Sequence, residues 1–210
     1  MRAKFPIDLK TPEEIHPRTS RAALHDFASW HSGATIIPEL TTPPSKTDKR
    51  NGPVAVIDDD LNPGRCWVID GSFGQIGIRL SGAISITHIT VEHVDKDLVD
   101  TVITAPKTLL VWGIPKAYIF DWKDMGRMVS ESGLTYGPGT SHPQFTFLLL
   151  ASLRYDIASP NNRQTFLIKH PHVPMSFEGV VIEVLENWGG ETTCLYGIRV
   201  HGFMATETVI

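Results

Sequence analysis

From residue 26 onward the chain is divided into short β-rich runs by glycine, proline, asparagine and aspartate, and few segments carry the apolar period of a long helix. The runs are 34–37, 54–57, 66–69, 74–80, 84–93, 108–113, 144–150, 165–169, 180–186 and 194–201. Strands this short must bury their apolar sides against a second layer. In the best-alternating run, Ile84, Ile86 and His88 are expected on one face and Ser85, Thr87, Ile89 and Val91 on the other. Both faces are partly apolar, which places that strand inside a two-sheet packing. The predicted architecture is all-β, a jelly-roll-like antiparallel β-sandwich.

A short helical lead-in is expected over residues 1–25, ahead of one main domain over 26–210. Thr11-Pro12-Glu13-Glu14 reads as a capping box, Pro17 ends that turn, and a second short helix near Thr19 or Ser20 aligns Ala23, Leu24 and Phe27. Pro38 to Pro53 contains four prolines and a polar run, and reads as a mobile, lid-like surface loop. Leu134 to Pro143 reads the same way. A chain of 210 residues buries roughly 70% of its unfolded surface, so its core does not depend on a disulfide framework.

The formal charge of −4, with 19 Lys and Arg residues scattered along the chain, argues against a nucleic-acid surface. No apolar run approaches the about eighteen residues of a membrane helix; the stretch from Phe145 to Leu153 suits a buried strand. The opening Met-Arg-Ala-Lys-Phe-Pro is followed by no apolar stretch, so a secretory signal is not expected there. No nucleophile elbow or zinc-protease helix is present, and His170-Pro171-His172 has the wrong spacing for a helical metal site, so catalysis is not expected. Trp30, Trp112, Trp122 and Trp188 on a sandwich keep a carbohydrate-binding module, or another ligand-binding module, as the alternative.

Three features invite a function without deciding it. Asp58-Asp59-Asp60 precedes the Pro63-Gly64 turn, at a spacing that does not fit an EF-hand and suits a solvated acidic turn. The only two cysteines, Cys66 and Cys194, each stand beside aromatic and turn residues. They are either a disulfide or two separate buried thiols. His93 ends a predicted strand, where a histidine is most often a surface or half-buried residue.

Pro63-Gly64-Arg65-Cys66-Trp67, Gly71-Ser72-Phe73-Gly74, Val91-Glu92-His93, Ala105-Pro106-Lys107 and the block Asn187-Trp188-Gly189 through Cys194-Leu195-Tyr196 to Arg199-Val200-His201-Gly202 together resemble the SUN domain. The likeness runs from about Asp26 to Gly202 and thins between Ile114 and Val180. It implies a domain of the Sad1/UNC-84 family that binds the C-terminal tails of KASH proteins between the two nuclear membranes, as part of a LINC complex at the nuclear envelope. It also implies a Cys66–Cys194 disulfide and a carboxylate pocket at His93, Thr104 and Tyr196, with Thr192 on its wall where the family commonly has an aromatic. A cation loop is implied at Ala55, Asp58, Asp60, Arg65 and Tyr196, holding a monovalent cation, potassium or sodium, mainly through backbone carbonyls. A homotrimer follows from the same likeness, although a monomer suits a chain lacking the coiled coil. Because SUN proteins usually carry a membrane helix and coiled coil ahead of the domain, the chain is expected to be a fragment that does not itself touch the membrane. Animal members have a longer lid with a cysteine that can bond to the peptide. Thr41 stands at that position here, so no intermolecular disulfide is expected.

Overall fold

The computed structural model describes residues 25–46, 48, 50–116, 138–139, 144–168 and 175–204. Among the described residues nine strands are formed: β1 (Thr35–Ile37), β2 (Trp67–Asp70), β3 (Gly74–Glu92), β4 (Pro106–Pro115), β5 (Leu148–Arg154), β6 (Arg163–Leu167), β7 (Phe177–Asn187), β8 (Thr192–Leu195) and β9 (Gly197–Met204). Every pairing is antiparallel. The expected all-β sandwich is therefore the fold, and the expected lead-in falls outside the described residues except at His25.

The topology is organised by β3, which merges the two runs expected at 74–80 and 84–93 into one strand of 19 residues. Its first half lies between β1 and β7, and its second half between β6 and β9. The ladder continues from β7 to β4 and β5, while β2 and β8 form a separate two-stranded sheet. Ile76 and Ile78 from one half of β3 share a single buried core with Ile84, Ile86, Ile89 and Val91 from the other, so the long ladder closes over its own apolar side.

A bulge corrects the expected face assignment. Ile86 pairs with Gly202 and His88 with His201, leaving Thr87 as the extra residue. That insertion reverses the alternation, so Ile84 and Ile86 face the same core as Ile89 and Val91, while His88 does not join them. The apparent two-faced apolarity of the run is one apolar face with a step in it.

Other boundaries moved for local reasons. Val54 to Ile57 is part of a 3₁₀ turn, Pro53–Ile57, rather than a strand. Pro53 fixes the first φ of that turn and brings no amide donor to a ladder. The run 194–201 divides at Tyr196 into β8 and β9. Residues 38–46 are fastened down rather than mobile: Leu40 is fully buried, Thr42 N–H donates to the Gln75 carbonyl while the Thr42 hydroxyl accepts from Gln75 N–H, and the Thr41 hydroxyl accepts from Gly77 N–H while donating to the Ile37 carbonyl. Gly113 is required where β4 passes Phe177 of β7, since a Cβ there would come 2.4 Å from the ring.

Cys66 and Cys194 form a disulfide with Cα atoms 5.5 Å apart, joining the residue before β2 to β8 across a separation of 128 residues. Closing so long a loop restricts the unfolded chain, worth about 4 to 5 kcal/mol in the chain-entropy account. The Cys66→Ser/Cys194→Ser double variant is expected to unfold at clearly lower urea concentration than the oxidised chain. Equal midpoints with and without reductant would remove the disulfide from the list of stabilising contacts.

Candidate ligand-binding site

The end of β3 and the break between β8 and β9 meet at one place. His93 follows the last residue of β3 and is only 2% exposed. Its ring packs edge-on against Tyr196, with centroids 4.7 Å apart, and more loosely against Tyr155 at 6.2 Å. The backbone is clamped by Asn162: His93 N–H donates to the Asn162 carbonyl, and the Asn162 side-chain amide donates to the His93 carbonyl. On the imidazole, Nδ1 lies 3.4 Å from the Val94 carbonyl and Nε2 has no hydrogen-bond partner. Burial holds this imidazole well below its ordinary value, at about 4, so it is neutral at physiological pH. A small concavity beside it is lined by Val102, Tyr155, Asp156 and Asn162, among others.

Tyr196 connects this corner to the loop before β2. Its hydroxyl accepts from Gly64 N–H at 3.0 Å, and its ring packs with Val94 and the Cys66–Cys194 bridge. Thr104 is half-buried and adjoins the same strand through its carbonyl, which accepts from Cys194 N–H at 2.9 Å. Of the three expected pocket residues, His93 and Tyr196 are thus in direct contact and Thr104 reaches them through Cys194. Thr192 pairs with Asp70 across β2 and β8 and accepts from the Asn187 side chain.

The expected cation loop is a dense polar turn. Ala55 lies in the Pro53–Ile57 3₁₀ turn, and its carbonyl accepts from Asp58 N–H. Asp60 accepts from Asn62 and pairs with Arg65 at 2.8 Å, while the Asn51 side-chain amide donates to the Gly64 carbonyl. Among the described residues no histidine, cysteine or acidic side chains gather in a group able to hold a metal ion.

The residue that sequence reasoning missed is Arg199 of β9. It is 6% exposed, donates through Nε to Glu92 at 2.8 Å and through Nη2 to the Asp58 carbonyl, and lies 3.3 Å from Asp59 and 3.6 Å from Asp26. Glu92, 1% exposed, is also paired with Arg163. No local pattern in the sequence marks Arg199; in the structure a Cβ at Gly197 would come 2.7 Å from Glu92 Oε2, so glycine there leaves room for the pair. Of the four tryptophans considered for sugar stacking, Trp112 is buried and donates to Glu183, and Trp188 lies under Lys107 and Arg154. Trp30 is exposed, and Trp122 falls outside the described residues.

The family model for the Sad1/UNC-like C-terminal domain matches residues 46–135 and 138–204. The chain belongs to this family and is a SUN domain. It is 33% identical to human SUN domain-containing protein 1 over 71% of this chain and 16% of that protein. It is 32% identical to the Caenorhabditis elegans nuclear migration and anchoring protein unc-84 over 68% of this chain and 11% of that protein. With bovine SUN domain-containing protein 3 it shares 26% identity over 88% of this chain and 48% of the relative. The SUN domain chain thus spans under half the length of these relatives. Among solved structures, the family 32 carbohydrate-binding module of Streptococcus pneumoniae EndoD superposes with a TM-score of 0.56, covering 85% of this chain and 99% of that one at 11% identity. A putative chitobiase fragment from Bacteroides thetaiotaomicron gives 0.58, covering 90% of this chain and 99% of that one at 9% identity. At such identities the likeness is one of sandwich fold.

The neutral His93 has a consequence for acid stability. Its folded value of about 4 lies below the ordinary histidine value of 6.5, so between these the unfolded chain takes up a proton that the folded chain refuses. Stability is therefore lost as pH falls through this window, by roughly 3 kcal/mol at its lower end. Urea denaturation at stepped pH should show a shallower decline over the window for His93→Phe than for the unsubstituted chain. Parallel declines would mean that His93 titrates as in the unfolded chain.

Proposed function

We propose that this SUN domain binds the C-terminal tails of KASH-domain proteins in the perinuclear space, linking nucleus to cytoskeleton across the nuclear envelope in a LINC complex, by recognition without bond chemistry. The observation that carries this reading is the buried neutral His93, packed against Tyr196 with Nε2 unengaged. A tail carboxylate is an acceptor-only group and needs donors in a dry site. Beside Nε2 it favours the tautomer that carries the proton there, and little is lost at Nδ1, whose contact with Val94 is already long. Thr104 contributes its hydroxyl, Tyr196 forms the base, and Thr192 leaves the wall open where an aromatic is common in the family. The fastened segment at 38–46 lowers the contribution of the lid, so the grip rests on the carboxylate and on a neighbouring protomer in a homotrimer.

The loop at Ala55, Asp58, Asp60 and Arg65, with Tyr196, is further proposed to hold a monovalent cation, potassium or sodium. The carbonyls of Ala55 and Asp58 each accept one hydrogen bond and keep a second lone pair, a donor set suited to a weakly held monovalent ion. Replacing potassium and sodium by tetramethylammonium is then expected to lower the melting temperature; an unchanged melting curve would count against the ion.

For the tail, the decisive comparison is a KASH-like peptide with a free or an amidated C-terminus. The free acid is expected to bind about tenfold tighter or more, because amidation leaves a buried donor without its charged partner. Equal binding of the two would sink the carboxylate pocket. Glycan binding without peptide binding would favour the carbohydrate alternative, and light scattering reads the oligomeric state.

A further inference from the structure

The Arg199 cluster lies outside the residues that the tail reading uses, and the inference drawn from it rests on that reading for its ligand. We propose that Arg199 is a positioning residue of the tail site, its guanidinium holding the loop from Asp58 to Arg65 and the end of β3 so that Tyr196 and His93 stand against each other.

Four segments meet at this side chain. Asp26 belongs to the chain approaching β1, Asp58 and Asp59 open the loop, Glu92 ends β3 immediately before His93, and Arg199 itself stands three residues after Tyr196. The loop is thereby anchored at both ends, by the guanidinium's hydrogen bond to the Asp58 carbonyl and its ion pair with Asp59 at one end and covalently at Cys66 at the other. Between the anchors, Gly64 N–H donates to the Tyr196 hydroxyl, so the loop's height above β9 sets where that hydroxyl is held. On the other side, Glu92 is shared between Arg199 and Arg163, and Arg163 follows Asn162, the residue that clamps the His93 backbone. One guanidinium therefore fixes both partners of the His93–Tyr196 contact.

The geometry requires the planar fork. Nε and Nη2 address different segments, Glu92 and the Asp58 carbonyl, in one plane; an ammonium is a point charge that answers one of them well. Stability alone does not call for such a cluster, because a buried ion pair is often no more stabilising than apolar side chains of equal volume. Gly197 serves the same arrangement, since a Cβ there would press on Glu92 Oε2 and come 3.3 Å from Arg199 Nη2.

The test uses Arg199→Lys, Gly197→Ala and Asp59→Asn, the last removing only the outermost partner, which is 67% exposed. Amide exchange is followed at Gly64 and, as a core reference, at Ile182 in the centre of β7. The ratio of affinities for free-acid and amidated KASH-like peptides is measured in parallel. For Arg199→Lys and Gly197→Ala, exchange at Gly64 is expected to rise about tenfold beyond any rise at Ile182, with a fall of about fivefold in the preference for the free acid. Asp59→Asn should shift both in the same direction by less. Gly64 and Ile182 rising together, or an unchanged preference for the free acid in a chain that binds both peptides, would overturn the proposal and leave Arg199 a stabilising residue only. Should Arg199→Lys not fold, Gly197→Ala and Asp59→Asn carry the same comparison. A chain that binds neither peptide overturns the tail reading, while the Gly64 comparison still decides whether Arg199 sets the loop.

Discussion

A guanidinium inside a protein must be answered by acceptors on every side it presents, and the way Arg199 is answered determines much of what surrounds it. Removing one partner from a buried pair leaves the other charge without compensation, at a cost of about 3 to 5 kcal/mol. Glu92, the Asp58 carbonyl, Asp59 and Asp26 are therefore not free to move independently. Glycine at 197 is a condition of the pair. The same constraint extends to Asp26, whose other carboxylate oxygen accepts from Val200 and Ala28, holding the incoming chain along the outer edge of β9.

Around that ionic centre the polar interior continues as hydrogen bonds. His201 Nδ1 faces the His25 carbonyl at 3.0 Å, its Nε2 meets the Thr90 hydroxyl, and Thr90 meets Thr165 on β6. Burial holds the His201 imidazole below its ordinary value, which suits a ring that donates on one side and accepts on the other. The second half of β3 thus carries an apolar face toward the core and, on the opposite face, polar side chains that pair with those of β6 and β9. This arrangement explains how His88, Thr90 and Glu92 coexist with the isoleucines of the same strand.

The fold was legible wherever a local pattern decided it. Turn residues separated β2, β4, β6 and β7, and their cores followed from apolar alternation. It was less legible where tertiary contacts override the local pattern. Nothing in residues 84–91 marks Thr87 as the residue to be extruded; the insertion is decided by register with β9. The segment after Pro38 looks mobile because its prolines and threonines lack a strand pattern, yet Thr41 and Thr42 use their hydroxyls to bond the backbone of β3. At the site, His93, Tyr196 and the cysteines were legible through the motifs they occupy, whereas Arg199 was not. A charged residue in a strand reads as a solvent-facing position, and only the meeting of four distant segments shows otherwise.

The continuity of β3 has a mechanical meaning. Both layers of the sandwich are hydrogen-bonded to the same strand, so neither can slide past or peel from the other without breaking that strand's own ladder. The connection between the two halves of the ladder is the covalent backbone of β3 itself, which joins β6 and β9 along its second half to β1 and β7 along its first.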